Sequence, residues 1–174
     1  MMARAALGDA LDRIIEITAA EVAPLGFARR GTILRKFSQG NSGIIEFQKS
    51  IKNSGDKLLF TVNLAVICGE LLEPEQPQLD KARSLDAHLR QRIGMLLSSR
   101  PDKWWEVSAA IDVSALANEI SSLIFNEAAP YIERYLDTGE LIALWESGKS
   151  PGLTETQRVK YLEAFNSRHK SGKE

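Results

Sequence analysis

Arg90 and Arg92 lie one residue apart in "HLRQRIG", and the two-residue period of a strand would bring both guanidinium groups to one face. His88 joins them if the strand starts that early. Two guanidinium groups side by side can clamp a carboxylate or a phosphate through paired hydrogen bonds. Asn63 sits mid-way along the most apolar run of the chain, "LLFTVNLAVIC", and Gln48 lies near the end of "IIEFQKS". Their amides could fix the orientation of the same ligand. Asparagine suits a strand poorly and is costly to bury without partners, so its position asks for a reason. Either Asn63 bonds a neighbouring backbone group or it lines a pocket. Trp104 and Trp105 are adjacent, and consecutive strand residues point to opposite faces. Trp105 with Val107 is assigned to the core, and Trp104 with Glu106 outward, where an indole covers an arginine stem. A one-residue shift of register would reverse that assignment. The candidate residues for ligand or partner binding are therefore Gln48, Asn63, Arg90, Arg92 and Trp104.

The better-known catalytic constellations are missing from the sequence. Its two histidines are His88 and His169, and no H-E-x-x-H, C-x-x-C or H-x-H spacing occurs. There is no G-x-S-x-G elbow, and a Cys/His pair would require Cys68, at the end of an apolar run, to meet His88. No glycine-rich loop joins a strand to a helix as nucleotide-binding folds require. No catalytic residue, metal ligand or cofactor is assigned; Glu46 and His88 are the groups that could serve as a general base.

Composition narrows the field further. The chain has 174 residues, 44% of them hydrophobic, enough for one full core. Formal net charge is −1, which gives no global attraction to nucleic acid or anionic lipid. The local balance is different. Arg29, Arg30, Arg35, Lys36, Lys49, Lys52 and Lys57 face only Glu46 and Asp56 across residues 27–57. The plainest reading is a solvated strand face. A phosphate-tracking surface is the other, and the lack of exposed aromatics among those strands argues against nucleic acid. A single cysteine cannot build a disulfide framework. No run reaches the length of a membrane-spanning helix, and the N-terminus reads as an amphipathic helix where a signal peptide would be apolar. The expected location is the cytoplasm.

The elements that must position these residues follow from periodicity. Leu7, Leu11, Ile14, Ile15 and Val22 predict a helix over 6–23, ended by Pro24 and Gly26. Residues 27–68 read as a β meander: "GTILRKF", "IIEFQKSI" and "KLLFTVNLAVIC", separated by Gly/Asn-rich turns. The third run is apolar on both faces and should be central. Residues 69–87 read as a loop with a short helix over 78–88. "RQRIGMLL" and "KWWEVSAAI" are expected as two further strands joined by "SSRPD". Helices follow from residue 112, with Asp112 as N-cap and a break or kink at Pro130. A short helix "GELIALWE" and a last helix opened by the capping box "TETQ" complete the chain, with "SRHKSGKE" expected to fray.

Several phrases also resemble a known family. "EVAPLGFARRGTILRKF", "IIEFQKS", "LFTVNLAV", "HLRQRIGMLL" and "DKWWEV", in that order, resemble the bacterial family called domain of unknown function 4304, over roughly residues 5–140. The shared positions are Gly26 to Gly31, Phe47 to Ser50, Phe60 to Leu64, Arg92 to Gly94, and Trp104 with Trp105. Ala65 stands where the family often has Gly, and the 154–174 helix lies outside the resemblance. The resemblance implies an α+β domain and no particular reaction.

The resulting expectation is an α+β fold: an antiparallel sheet of about five strands with helices packed mainly on one face and further helices at the C-terminus. Residues 1–153 would form the domain and 154–174 a C-terminal helix and frayed tail. The leading function is a non-catalytic binding or interaction protein with an unknown protein partner, of accessory or immunity type by analogy of size and fold. The alternative is an enzyme or sensor that takes a small anionic ligand on the Arg/Asn/Gln face.

Overall fold

A computed structural model describes residues 2–99 and 101–170. Helix α1 (Met2–Val22) is followed by a short turn that ends where Gly26 takes φ +90°, a left-handed conformation that suits glycine. The strands β1 (Ala28–Arg30), β2 (Ile33–Ser38), β3 (Asn41–Lys49) and β4 (Leu58–Cys68) then run as an antiparallel meander. β5 (Leu89–Arg92) and β6 (Trp105–Val107) both pair with β4. The fold is thus α+β with an antiparallel sheet, as expected, and β4 is central.

Two expectations from the sequence are corrected. "RQRIGMLL" is not one strand: the extended part stops at Arg92, and Ile93–Leu96 is a short helical turn. β5 and β6 do not form a hairpin. They lie end to end along the same edge of β4, β5 against Asn63–Val66 and β6 against Leu58–Phe60. Gly94 sits where the returning chain passes so closely that a Cβ would meet the Pro101 carbonyl oxygen at 2.1 Å. The absence of a side chain at that point is what lets Pro101–Lys103 pass against the Ile93–Leu96 turn.

On one face of the sheet Leu34, Ile45, Phe47, Phe60, Val62 and Leu64 meet the helices. α1 supplies Leu7, Leu11, Ile14, Ile15 and Val22, all buried, as the helical spacing requires. Burial of each such side chain contributes roughly 1.5–3 kcal/mol. Asp112 caps α2 (Val113–Leu123) by accepting from the Ala115 N–H at 2.9 Å. Pro130 does not break the helix there. A π-helical turn, Ile124–Ala128, links α2 to α3 (Ala129–Leu136), and backbone dihedrals stay right-handed helical at both joins. The wider turn precedes Pro130, which sits near the start of α3 as a residue with no N–H to offer.

α4 (Thr138–Glu146) and α5 (Glu155–Lys170) follow. The capping box opens α5: Thr154 Oγ1 accepts from the Gln157 N–H at 3.2 Å, and Gln157 Oε1 accepts from the Thr154 N–H at 2.9 Å. Tyr161, Leu162 and Phe165 pack against the core. Helix continues through "SRHK" to Lys170, where fraying was expected, and His169 and Arg168 reach Glu70 and Glu73 on the turn after β4. The remainder of that tail, 171–174, lies outside the described residues.

The opposite face of the sheet is covered by chain without regular secondary structure. Residues 72–87 cross it with one short helical turn of their own, Ser84–Asp86, and another just before them, Gly69–Leu71, in place of the expected helix over 78–88. Ala82 and Ala87 join Ile44, Ala65 and Ile67 in a small second core.

Candidate functional site

β3 and β4 place Glu46 opposite Asn63 and Gln48 opposite Thr61, while β5 sets Arg92 opposite Asn63 and Arg90 opposite Ala65. Directly opposed residues in an antiparallel pair point to the same side. Gln48, Asn63, Arg90 and Arg92 therefore share the face away from the main core, and they line one open cleft of about 540 Å³. Asn63 is 9% exposed, and its Nδ2 donates to Gln48 Oε1 at 2.6 Å. That bond leaves the Gln48 amide nitrogen and the Asn63 carbonyl oxygen as groups that can serve a ligand.

The two arginines have different settings. Arg92 donates to Asp102, and its guanidinium lies 5.1 Å from the centre of the Trp104 ring. Trp104 Nε1 also donates to Asp102, at 3.1 Å. The bond from Arg92, then that from Trp104, holds the Asp102 carboxyl below the usual carboxylate range. Arg92 is thus pinned by a carboxylate and an indole. Arg90 is exposed, and no described carboxylate forms an ion pair with it. Beside it the turn after α4 comes in tightly: a Cβ at Gly152, which has φ +70°, would meet the Arg90 carbonyl oxygen at 2.4 Å. Trp104 does not itself line the cleft; it acts on it through Arg92. Trp105, by contrast, is 5% exposed and stacks on Phe60 at 5.6 Å.

The groups considered as general bases are not free at this cleft. Glu46 is buried, and its carboxylate accepts from the Arg83 guanidinium and from the Ser84 hydroxyl and N–H. It anchors the 72–87 chain to the sheet. Arg35 does the same from β2, donating to the carbonyls of Leu79 at 2.9 Å and Ala82 at 2.6 Å. His88 does not join Arg90 and Arg92. It is 2% exposed, its Nδ1 accepts from the Cys68 N–H at 3.0 Å, and its ring meets Tyr161 edge-on at 4.9 Å. Burial pushes its pKa down to about 4 and pushes the Cys68 thiol up. Among the described residues no three His, Cys, Asp or Glu side chains are grouped to hold a metal ion.

The basic residues of the meander are dispersed. Arg29 pairs with Asp12 and Lys36 with Glu133 on the helical side, while Arg35 is spent on the covering chain. The seven do not share one surface, but Arg30 and Arg35 line one cleft with Lys81 and Arg83, and Phe37 of β2 is exposed beside Arg35, which corrects the expectation that these strands carry no exposed aromatic.

A family profile, Domain of unknown function (DUF4304), matches residues 18–134. The chain belongs to this family. No curated protein and no solved structure matches it significantly. The DUF4304 region contains all five candidate residues, whereas Gly152 and the rest of the turn that closes one side of the cleft lie beyond it. The three consecutive residues Arg92, Ile93 and Gly94 do different things. Arg92 faces the cleft, Ile93 is fully buried in the main core, and Gly94 admits the returning chain. Asp102 and the Glu46–Arg83–Ser84 anchor were not visible in the sequence. The one signal for the anchor was an acidic residue amid the apolar positions of β3.

Asn63→Ala should change stability by no more than about 1 kcal/mol, because the bond it loses is one amide pair whose Gln48 end is exposed and can turn to water. Urea unfolding checks this. A loss of about 2–3 kcal/mol would mean that Asn63 is a structural bridge and not a floor of the cleft.

Proposed function

We propose that the chain is a non-catalytic binding protein that holds an anionic group in the cleft between β3, β4 and β5. The observation that carries this reading is Arg90: a cation without an acid partner among the described residues, beside an Arg92 already set in place, over an amide pair with a donor and an acceptor to offer. Carboxylate and phosphate groups suit that arrangement, since each accepts from several N–H donors at once. Asp102 is the carboxylate at the cleft, and its depressed pKa makes it a poor proton acceptor, which favours binding over catalysis. The proposal places the protein in the cytoplasm, where a lone thiol such as Cys68 stays reduced.

A thermal-shift screen against phosphorylated and carboxylated small molecules, each paired with a neutral analogue, tests the reading. A ligand at about 100 times its dissociation constant should add about 2.7 kcal/mol of stability. Arg90→Ala combined with Arg92→Ala should abolish the shift while leaving a cooperative unfolding transition. No shift with any anion would end the proposal.

A further inference from the structure

The sheet face away from the main core carries a second basic cleft, and strand register sets where it lies. Arg30 is opposite Ile33, Ile33 opposite Glu46, Glu46 opposite Asn63 and Asn63 opposite Arg92, so one row crosses that face from β1 to β5. Arg92 ends the row in the cleft already described. At the other end Arg30, Arg35, Lys81 and Arg83 line a cleft of about 340 Å³, with Asp80 as the one carboxylate in its lining. Arg35 is bonded to the covering chain and Arg83 to Glu46. Arg30 and Lys81 are exposed, and neither forms an ion pair with a described carboxylate. A ridge separates the clefts: Arg83 lines one, Ser84 and Leu85 the other. Leu85 stands 83% exposed on it.

We infer that this face docks an extended acidic segment of a partner protein, laid across the strands with carboxylates in each cleft and an apolar side chain over Leu85. The inference rests on the anion-binding reading and adds the second cleft and the class of partner. A single small anion fills one cleft and leaves Arg30 and Lys81 without a counter-charge. The spacing suits a polypeptide. The row spans four strand-to-strand steps of about 4.8 Å, roughly 19 Å in all, which an extended chain rising about 3.3 Å per residue covers in about six steps. Single-stranded nucleic acid suits the face less. It carries a charge at every nucleotide and would meet Asp80 and Asp102 in the clefts, and Phe37, the exposed aromatic of β2, lines neither cleft as a stacking platform would. An acidic segment can leave gaps in its charge and cover the exposed Leu85 with an apolar residue of its own.

Fluorescence anisotropy of the full chain with a labelled, end-capped heptapeptide tests it. The peptide carries a glutamate pair at each end and a leucine flanked by glycines between them. The comparison probe is a tripeptide with one glutamate pair and the leucine. The heptapeptide should bind at least about tenfold more tightly, since engaging one cleft makes engagement of the other intramolecular. Arg30→Ala with Lys81→Ala should bring it down to the tripeptide's affinity while tripeptide binding persists. The two side chains are exposed, so the unfolding transition should stay cooperative. Equal affinities for the two peptides overturn the inference and leave the anion reading standing. So does a heptapeptide affinity that ignores the Arg30 and Lys81 substitutions. Failure of both peptides to bind, with small anions still raising the melting temperature, overturns the inference alone; failure of the small anions as well removes both readings. An oligothymidylate that binds more tightly than the heptapeptide, and loses that binding in the Arg30→Ala, Lys81→Ala variant, also overturns it and assigns the face to nucleic acid.

Discussion

Lowering the pH from 6.5 to 4 is expected to remove about 3 kcal/mol of folding stability through His88 alone. The sign follows from where the proton binds. In the unfolded chain an imidazole has its ordinary pKa of 6.5, whereas in the fold burial lowers it to about 4. Between those values the unfolded state takes up a proton that the folded state refuses. Stability is complete above 6.5, falls as the pH drops through the window, and levels off below 4. The refusal has a structural cause: Nδ1 accepts from the Cys68 N–H, and a protonated ring could not. The charged groups around the ring, Arg168 and Lys160 from α5 and Asp86 from the chain before β5, act on it less than burial does. Urea denaturation of wild type and His88→Gln at several pH values between about 4 and 7 checks the expectation. The difference between the two curves should shrink as the pH falls. Parallel curves would show that His88 does not carry this dependence.

Gly94→Ala is expected to cost about 3 kcal/mol, the upper end for overpacking of a filled space. The added methyl would lie 2.1 Å from the Pro101 carbonyl oxygen and 2.9 Å from the Lys103 backbone nitrogen. Both are backbone atoms, so no side-chain rotation relieves the clash. The 101–104 segment must move, and with it Asp102 and Trp104, which together hold Arg92. On the proposed reading the variant should therefore lose anion binding as well as stability, and the emission of Trp104 should shift as the indole leaves the guanidinium. Denaturant unfolding with tryptophan fluorescence reads both effects. A loss below about 1 kcal/mol would mean that the returning chain is not held closely there.

Strand alternation put Arg90 and Arg92 on one face and sent Trp104 and Trp105 to opposite faces, because the direction of a side chain along a strand depends on its own parity; which indole enters the core was decided by the register of β6 on β4. The helical stripe of α1, the Asp112 cap and the Thr154–Gln157 box were legible because each rests on residues only a few positions apart along the chain. That the four polar residues share one cleft required more. It needed β5 to dock on β4 at Asn63 and not elsewhere, across a connection of roughly twenty residues whose closure no local pattern specifies. His88 looked like a neighbour of Arg90 by parity, yet it turns away to satisfy the Cys68 N–H. The end-to-end placement of β5 and β6, and the covering of the second sheet face by residues 72–87, were invisible for a related reason. The first depends on β4 pairing with both segments, and the second on Glu46 and Arg35 finding partners about 37 to 47 positions away; such pairings exist only once the sheet has formed. Local pattern thus determined which residues face the cleft, and the non-local pairing of a central strand decided that there is a cleft for them to face.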